Sequence, residues 1–298
     1  MKSSIIKVKK DKPKSLQLEL GCMITGRFYE FQELRKGTMN RIRNIVFRKA
    51  TGLELRELQK KKDKNDEEKQ YLEEFKDGNI KKKLAELKTS KKMNVEDYEY
   101  IEQMLNLLTD IKKKENEYKK MVESFVNTQT ELSTMFTDHI KGLGTLMTAM
   151  LLYYFGYCEK ASYPSSLQKY AGITPESKLV KGETAGFNLN CRTMLWRLAD
   201  SFIKHKNPRY KPIYDAEKKR QVMLMENEAE NAPKSKLHSD LRSRRKMMKY
   251  FLIDYFRVCM KITGRPDPEI YPIAKLECHT HLDCIFLWVE NQKKVNPI

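Results

Sequence analysis

Apolar side chains recur along most of this chain at steps of three and four residues, the spacing of an α-helix. The clearest stretch covers residues 96–136, where only Glu115 and Gln129 interrupt an apolar stripe. This stripe predicts a coiled-coil-like helix with charges on its other faces. Two pairings fit it: an antiparallel hairpin with residues 54–92 of the same chain, or a dimerisation arm. Its members are Ile101, Met104, Leu108, Ile111, Tyr118, Val122, Phe125, Leu132 and Phe136.

Helical spacing also extends before this stripe. It runs from Leu16 to Thr51, with Gly52 placed to end the helix. Residues 54–92 are a highly charged helical stretch, and Asp77-Gly78-Asn79 predicts a turn inside it. Residues 1–15 form a basic leader, interpreted as either a flexible arm or an edge strand.

Beyond the stripe, the pattern predicts further helices separated by loops. The helices cover 146–155, a short segment from Pro164 to Ala171, 191–206 and 239–263, while 176–190 is a polar loop and 208–237 a polar stretch punctuated by prolines. The chain is therefore predicted to be all-α, with a long coiled-coil hairpin followed by a helical domain. We divide it into the leader 1–15, an arm 16–136, a domain 137–263 and an irregular tail 264–298.

The charge of the chain indicates the kind of partner that it binds. The 298 residues include 58 Lys plus Arg against 40 Asp plus Glu, a formal net charge of +18. The excess lies before residue 50 and after residue 131, and the middle of the chain is balanced. Such an excess favours a polyanion as partner. No apolar run is long enough to span a membrane and no secretory signal is evident, and six irregularly spaced cysteines are typical of reduced thiols, so we expect a cytoplasmic protein.

The candidate phosphate-binding element is the glycine-containing segment 140–156. Gly142 and Gly144 lie two residues apart, directly before the apolar helical run. Glycine permits close approach of a backbone, and a helix that begins there directs unpaired N–H groups at an anion. We expect Gly142, Gly144 and Thr145 to bind phosphate through backbone N–H groups, with Lys141 adding charge.

Basic side chains interleaved with aromatic ones mark further candidate contacts to nucleic acid. Arginine dominates two of these segments, and its planar fork suits phosphate. The candidates are Arg27, Arg35, Arg41, Arg43 and Arg48 in the first helix, Lys178 and Lys181 in the polar loop, Arg192 and Arg197 in the next helix, and Arg242, Arg244, Arg245, Lys246 and Lys249 in the last.

Three catalytic or metal chemistries are weaker interpretations. A nuclease of the RNase-H type needs acids that converge on Mg²⁺, but the acids here lie in alternating-charge helices. Ser177 and Tyr170 have no evident activating base. We therefore expect no catalytic residue, no metal and no cofactor. The tail residues that we considered as zinc ligands, in a spacing unlike a standard finger, are Cys278, His279, His281 and Cys284, with Cys259 as a distant fourth.

Three motifs in order resemble the C-terminal domain of the RuvC-like (DEDD) insertion-sequence transposases that work with a bridge RNA. These are the Gly142/Gly144 hairpin, the sequence Tyr-Ala-Gly-Ile-Thr-Pro at 170–175 and the basic loop with Gly182 and Gly186. The firm match covers residues 140–200. Two departures accompany it: we find no room for the acidic catalytic domain before the helices, and no nucleophilic serine near Lys181-Gly182-Glu183.

A coiled-coil hairpin followed by a helical nucleic-acid domain also resembles the Nop-domain proteins of box C/D ribonucleoproteins. The chain resembles most the nuclease-free Tas proteins of tandem-interspaced-guide-RNA systems. This resemblance implies a homodimer that holds a guide RNA with box C/D-like elements and targets DNA by base pairing, without cleavage. The alternative is an accessory or degenerate transposase that binds duplex DNA directly.

Overall fold

The computed structural model describes residues 13–266 and 285–295. All regular structure in these ranges is helical, which confirms the predicted all-α fold. Short 3₁₀ turns cover Asp77–Asn79 and Thr137–His139. The α-helices are α1 Pro13–Thr51, α2 Leu55–Lys60, α3 Asp66–Glu74, α4 Ile80–Thr89, α5 Val95–Asn127, α6 Thr130–Met135, α7 Thr145–Phe155, α8 Pro164–Tyr170, α9 Leu189–Lys204, α10 Lys211–Glu226, α11 Lys236–Thr263 and α12 Ile285–Val295.

The chain divides into two compact units. The arm unit is residues 24–121, and the main unit holds the other described residues, 13–23, 122–266 and 285–295. The arm predicted from the sequence, 16–136, extends past the arm unit at both ends, and the predicted domain 137–263 lies within the main unit.

In the arm unit, α1 and α5 run antiparallel. The ring of Phe31 stacks on that of Tyr118 with centroids 5.3 Å apart, and at the other end Lys49 pairs with Asp97. The short helices α2 to α4 complete the core. Its most buried members are Ile42, Val46, Phe47, Leu55, Phe75, Ile80, Leu84 and Ile101.

The stripe on α5 is buried inside the chain's own core. Ile101, Leu108 and Ile111 are each no more than 4% exposed. Glu115, the polar position within the stripe, is paired with Arg35 of α1. Packing within one chain therefore explains the apolar stripe. In addition to residues 54–92, helix α1 packs against it, which the sequence pattern did not predict. Dimerisation through other surfaces stays a prediction.

The charged stretch 54–92 is interrupted where the sequence predicts, at the 3₁₀ turn Asp77–Asn79. A second break precedes α3. There Asn65 accepts a hydrogen bond from the backbone of Glu68 at 2.8 Å, and the Glu68 carboxylate accepts one from the backbone of Asn65 at 3.0 Å. This reciprocal cap satisfies two N–H groups that a helix start leaves unpaired.

The main unit is built around α11, which packs against α6, α8, α9 and α10. An aromatic cluster fills its centre. The ring of Phe251 lies 5.3 Å from Phe202, 5.4 Å from Tyr210 and 5.7 Å from Phe136, measured between centroids. The interior of this unit is therefore filled by large rings.

A buried ion pair joins the start of α10 to α11. Arg209 donates to both carboxylate oxygens of Asp254, at 2.7 and 2.9 Å, and the two side chains are 2% and 6% exposed. The hydroxyl of Tyr210 donates to the same carboxylate at 2.9 Å. Every oxygen of Asp254 is thus hydrogen-bonded, as a buried charge requires.

Helix α10 occupies part of the polar stretch 208–237. Its buried positions are Tyr214, Glu217 and Gln221, which face the protein at helical spacing. Because two of these three are polar, hydrophobic periodicity does not reveal the helix. The sequence analysis missed it for that reason.

Glu217 provides a test of how α10 is held against α11. Burial would raise the pKa of its carboxyl, but hydrogen bonds from Arg220, Lys246 and Gln221 outweigh burial and lower it to about 2. A depressed folded-state pKa stabilises the fold above the ordinary pKa near 4.5, and this stability is lost as the pH falls towards 2.

Glu217→Gln is therefore expected to lower the free energy of unfolding at pH 7 by about 2 kcal/mol. This is less than the full pKa shift implies, because Arg220 and Lys246 are half exposed and water screens them. The difference from wild type should shrink steadily between pH 5 and pH 2 in urea titrations. Glu226→Gln, which alters an exposed carboxylate on the same helix, should change stability by less than about 0.5 kcal/mol. A pH-independent effect of Glu217→Gln contradicts this account.

The predicted irregular tail is wrong for residues 285–295, which form α12. Ile285 and Val289 of this helix are buried, so tertiary packing supports it. The basic leader lies outside the described residues except for its last three positions, which begin α1. The tail residues Cys278, His279, His281 and Cys284 also lie outside the described residues.

None of the helices described here is long and apolar enough to cross a membrane.

Candidate nucleic-acid interface

The glycine segment is fixed against the end of α9. Ser201 Oγ donates to the carbonyl oxygen of Gly142 at 2.6 Å, and Asn207 Nδ2 donates to that of Lys141 at 2.7 Å. Gly142 has φ +91°, and a Cβ placed there would lie 3.2 Å from the backbone oxygen of Ser201. Gly142 is thus required by the turn and by its close approach to α9.

The start of α7 is open above this anchored turn. Gly144 is the N-cap residue, no side chain caps the helix, and a Cβ on Gly144 would meet nothing within 4 Å. Lys141 and Thr145 are exposed beside it. The geometry is that of an accessible helix N-terminus, and phosphate binding at Lys141, Gly142, Gly144 and Thr145 stays a prediction.

The polar loop between α8 and α9 is closed at its base. The backbone N–H of Asn188 donates to the carbonyl oxygen of Tyr170 at 2.9 Å, and its side-chain amide donates to the Tyr170 hydroxyl at 2.9 Å. The Asn188 oxygen also caps α9 by accepting from the N–H of Cys191. Between these ends Lys178, Lys181 and Gly182 are exposed.

Gly172 makes room at the base of this loop for an aromatic ring. It has φ +65°, and a Cβ there would lie 2.1 Å from the ring of Phe187. On the same ring lies the guanidinium of Arg192, 5.0 Å from the centroid. Stacking on an aromatic face orients the guanidinium while its N–H groups stay free to donate. Arg197, on the same helix, is exposed.

The α11 residues that the sequence predicts to contact nucleic acid fall into two groups, and acids neutralise the first group. Arg244 pairs with Asp200 and Asp240, and Lys246 pairs with the buried carboxylate of Glu217 at 2.7 Å. Both were predicted contacts to nucleic acid. Their charges are already balanced by acids of the same chain. They are therefore weaker candidates for contact with nucleic acid than the residues of the second group.

The second group has no acid paired with it in the described part of the chain. Arg242 donates to neutral acceptors, Gln221 Oε1 at 3.1 Å, the Asn231 carbonyl at 2.6 Å and the His238 ring at 3.2 Å. The Nε of Arg245 is buried without a hydrogen-bond partner.

We define the arginine cluster as Arg192, Arg242, Arg245 and Lys249. The last three are spaced i, i+3 and i+7 on one face of α11. Burial, followed by the charges of Arg192 and Arg242, lowers the pKa of Arg245. Burial and the charge of Arg245 lower the pKa of Lys249, with Glu176 acting in the opposite direction. The cluster is thus a half-buried concentration of positive charge whose members repel one another.

In the arm unit, most of the predicted arginine contacts are paired with acids. Arg41 is exposed and has no partner among the described residues. Exposed ion pairs are worth ~0–1 kcal/mol, so pairing does not preclude contact with phosphate. The five arginines therefore stay predicted contacts. The pairs are Arg27 with Glu30, Arg35 with Glu115, Arg43 with Asp77 and Arg48 with Glu54.

The candidate nucleophiles are not activated by their surroundings. Ser177 Oγ lies 2.8 Å from the Thr174 hydroxyl, which is not a base. Burial raises the pKa of Tyr170, and burial raises the pKa of the Cys191 thiol to about 12. Activation requires a lowered pKa or an adjacent base. Within residues 13–266 and 285–295, no group of three or more His, Cys, Asp and Glu side chains is placed to hold a metal ion.

Sequence reasoning missed Phe187 and Asn188, which position Arg192 and close the loop. Both lie in the stretch interpreted as a polar loop. The available signal was Asn188 before a helical apolar run, which is an N-cap pattern.

The fold and the interface define the chain as an all-α protein with an unneutralised basic surface. Comparisons with protein-family models, curated proteins and solved structures gave no match.

Proposed function

We propose that this protein binds RNA, holding it on the face of the main unit formed by α8, α9 and α11. In the full proposal the RNA is a guide with box C/D-like elements, bound by a homodimer in the cytoplasm. Base pairing of the guide would then direct the complex to DNA, which the protein does not cut. The arginine cluster supports the binding step, and the resemblance described above supports the guide and the target.

The observation behind the binding proposal is the absence, in the described part of the chain, of acids paired with the arginine cluster. The charges of Arg192 and Arg242 repel that of Arg245, the charge of Arg245 repels that of Lys249, and the buried Nε of Arg245 lacks a hydrogen-bond partner. A phosphate supplies both a negative charge and acceptor oxygens in the geometry that guanidinium groups match. Binding of a polyanion would therefore reduce the electrostatic repulsion among these cations, which no acid of the described chain neutralises.

The proposal of a binding protein rather than an enzyme is supported by the state of its nucleophiles. The Ser177 hydroxyl has another hydroxyl, that of Thr174, as its hydrogen-bond partner, and the Tyr170 pKa is raised rather than lowered. Neither arrangement favours attack on phosphorus.

The direct test is the nucleic acid that copurifies with the full-length protein. We expect a discrete short RNA, removed by RNase and retained after DNase, whose sequences share a common element. Binding of this RNA should weaken steeply as salt rises, because phosphate contacts release counterions. RNase-insensitive binding to duplex DNA alone would support the transposase alternative and overturn the proposal. Cleavage of either strand with Mg²⁺, abolished on substituting Ser177 or Tyr170, would show an enzyme instead.

A further inference from the structure

Two exposed tyrosine rings lie next to the elements that hold the arginine cluster. Tyr153, near the end of α7, is 44% exposed, and Tyr170, the last residue of α8, is 42% exposed. The exposure is substantial for aromatic side chains in a unit whose core is filled by other large rings. Both side chains are therefore accessible to a ligand from the solvent.

The Tyr170 ring is held in one position. Its hydroxyl accepts a hydrogen bond from Asn188 at 2.9 Å, and its ring meets Phe155 edge to face at 6.0 Å between centroids. Asn188 directly follows Phe187, on whose ring Arg192 lies. Tyr170 is thus connected to the arginine cluster through two residues of fixed geometry.

Tyr153 lies on α7, the helix whose Phe155 contacts Tyr170. It is two residues before Phe155, the ring on which Tyr170 packs, and its own ring meets Tyr154 edge to face at 5.0 Å. Tyr153 is near enough that its charge contributes, after burial, to the raised pKa of Tyr170. Tyr170 therefore adjoins Phe187 and Arg192 on one side of the molecule, and Tyr153 lies in the neighbouring helix α7.

We propose that this surface binds a single-stranded segment, with unpaired bases stacked on Tyr153 and Tyr170 and the adjoining phosphates on the arginine cluster. This inference rests on the proposed RNA-binding function and specifies the form of the nucleic acid. A row of cations alone serves a duplex equally well. Exposed aromatic faces, however, can stack only on bases that are not stacked and paired within a helix.

The rigidity of Tyr170 favours such a role. Ring positions fixed by Asn188 and Phe155 lose little conformational freedom when a base stacks on them. Stacking of one base on an aromatic ring is worth ~1–3 kcal/mol, and it tolerates any base. The segment is thus recognised as unpaired rather than by its sequence.

The test compares a mixed-sequence RNA oligonucleotide of about 12 nucleotides with the same strand annealed to its complement, at one salt concentration. Tyr153→Ala and Tyr170→Leu should each weaken binding of the single strand by about 5- to 100-fold. Tyr170→Phe should stay within about threefold of wild type, since stacking needs the ring and not the hydroxyl. Tyr100→Ala, at a similarly exposed tyrosine of the arm unit, is the control and should change nothing.

The outcomes separate this inference from the proposed function. If the RNA binds and responds to the arginine cluster but not to the tyrosines, or if duplex and single strand are weakened equally, the single-strand proposal is wrong and RNA binding stands. If neither form binds, both are wrong. Tyr153, unlike Tyr170, forms no hydrogen bond to the α9 cap residue Asn188, so its variant gives a result even where a change at Tyr170 impairs folding.

Discussion

Replacing both Arg245 and Lys249 with glutamine is expected to weaken RNA binding by at least about 100-fold at physiological salt. Each side chain offers a charge-assisted hydrogen bond worth ~1.5–3 kcal/mol, and neither forms an ion pair with an acid in the described structure, although Glu176 is near enough to act on the pKa of Lys249. The measurement is the dissociation constant from fluorescence anisotropy across a salt series. The slope of log K against log salt should become shallower by about 0.7 for each phosphate of the single strand that the variant no longer neutralises.

Arg244→Gln is the matched control for this variant. It removes a positive charge one residue from Arg245, but Arg244 is already neutralised by Asp200 and Asp240. Its effect on affinity should stay within about fivefold. Removal of Arg245 should leave thermal stability unchanged or slightly raised, because it relieves repulsion from Arg192 and Arg242. A loss of affinity on Arg244→Gln as large as that of the double variant would contradict a specific role for the arginine cluster.

Asp254→Asn is expected to cost about 3–5 kcal/mol of folding free energy. It leaves the buried guanidinium of Arg209 without its negative partner, and Arg209 is 2% exposed. The Arg209 guanidinium also lies 5.5 Å from the ring of Trp288 in α12, so the effect should extend to the packing of that helix. Urea unfolding followed by circular dichroism measures the cost, and Trp288 fluorescence reports the change at α12.

Two further variants identify the source of this cost. Tyr210→Phe removes one hydrogen bond to Asp254 and keeps the ion pair, so its cost should be about 1 kcal/mol. Replacing Arg209 with Met and Asp254 with Leu together removes both charges and should cost less than Asp254→Asn alone. A destabilisation below about 1 kcal/mol for Asp254→Asn would falsify the assignment of a buried charge pair.

Helical periodicity predicted most of the helices because their buried faces are apolar. It succeeded for α1, α9 and α11, whose ends fall within a few residues of the predicted ones, and for the start of α5, which ends at Asn127 although the predicted stripe continues to residue 136. It failed for α10, where Glu217 and Gln221 occupy buried positions. Polar residues at such positions are satisfied by partners from distant parts of the chain, such as Lys246, and a local pattern cannot show those partners.

The residues of the candidate site could be predicted from the sequence, but their arrangement in space could not. The Tyr-Ala-Gly motif and the basic loop can be recognised in the sequence. The structure shows why position 172 must be glycine: the ring of Phe187, fifteen residues further along the chain, leaves no room for a side chain there. Arg244 and Arg245 look equivalent in the sequence. Only the fold places Asp200 and Asp240 against the first and leaves the second beside Arg192.

Local sequence alone specifies an all-α, strongly basic protein whose charge is balanced in the middle of the chain and positive at both ends. Those properties follow from local propensity and composition, which require no knowledge of distant contacts. The contacts between distant segments of the fold establish which cations remain without an acidic partner and which aromatic rings stay exposed. The neutralised cations belong to pairs such as Arg35 with Glu115 and Arg209 with Asp254, whose members lie 80 and 45 residues apart in the sequence. Such pairs form only when packing of the apolar faces brings them together.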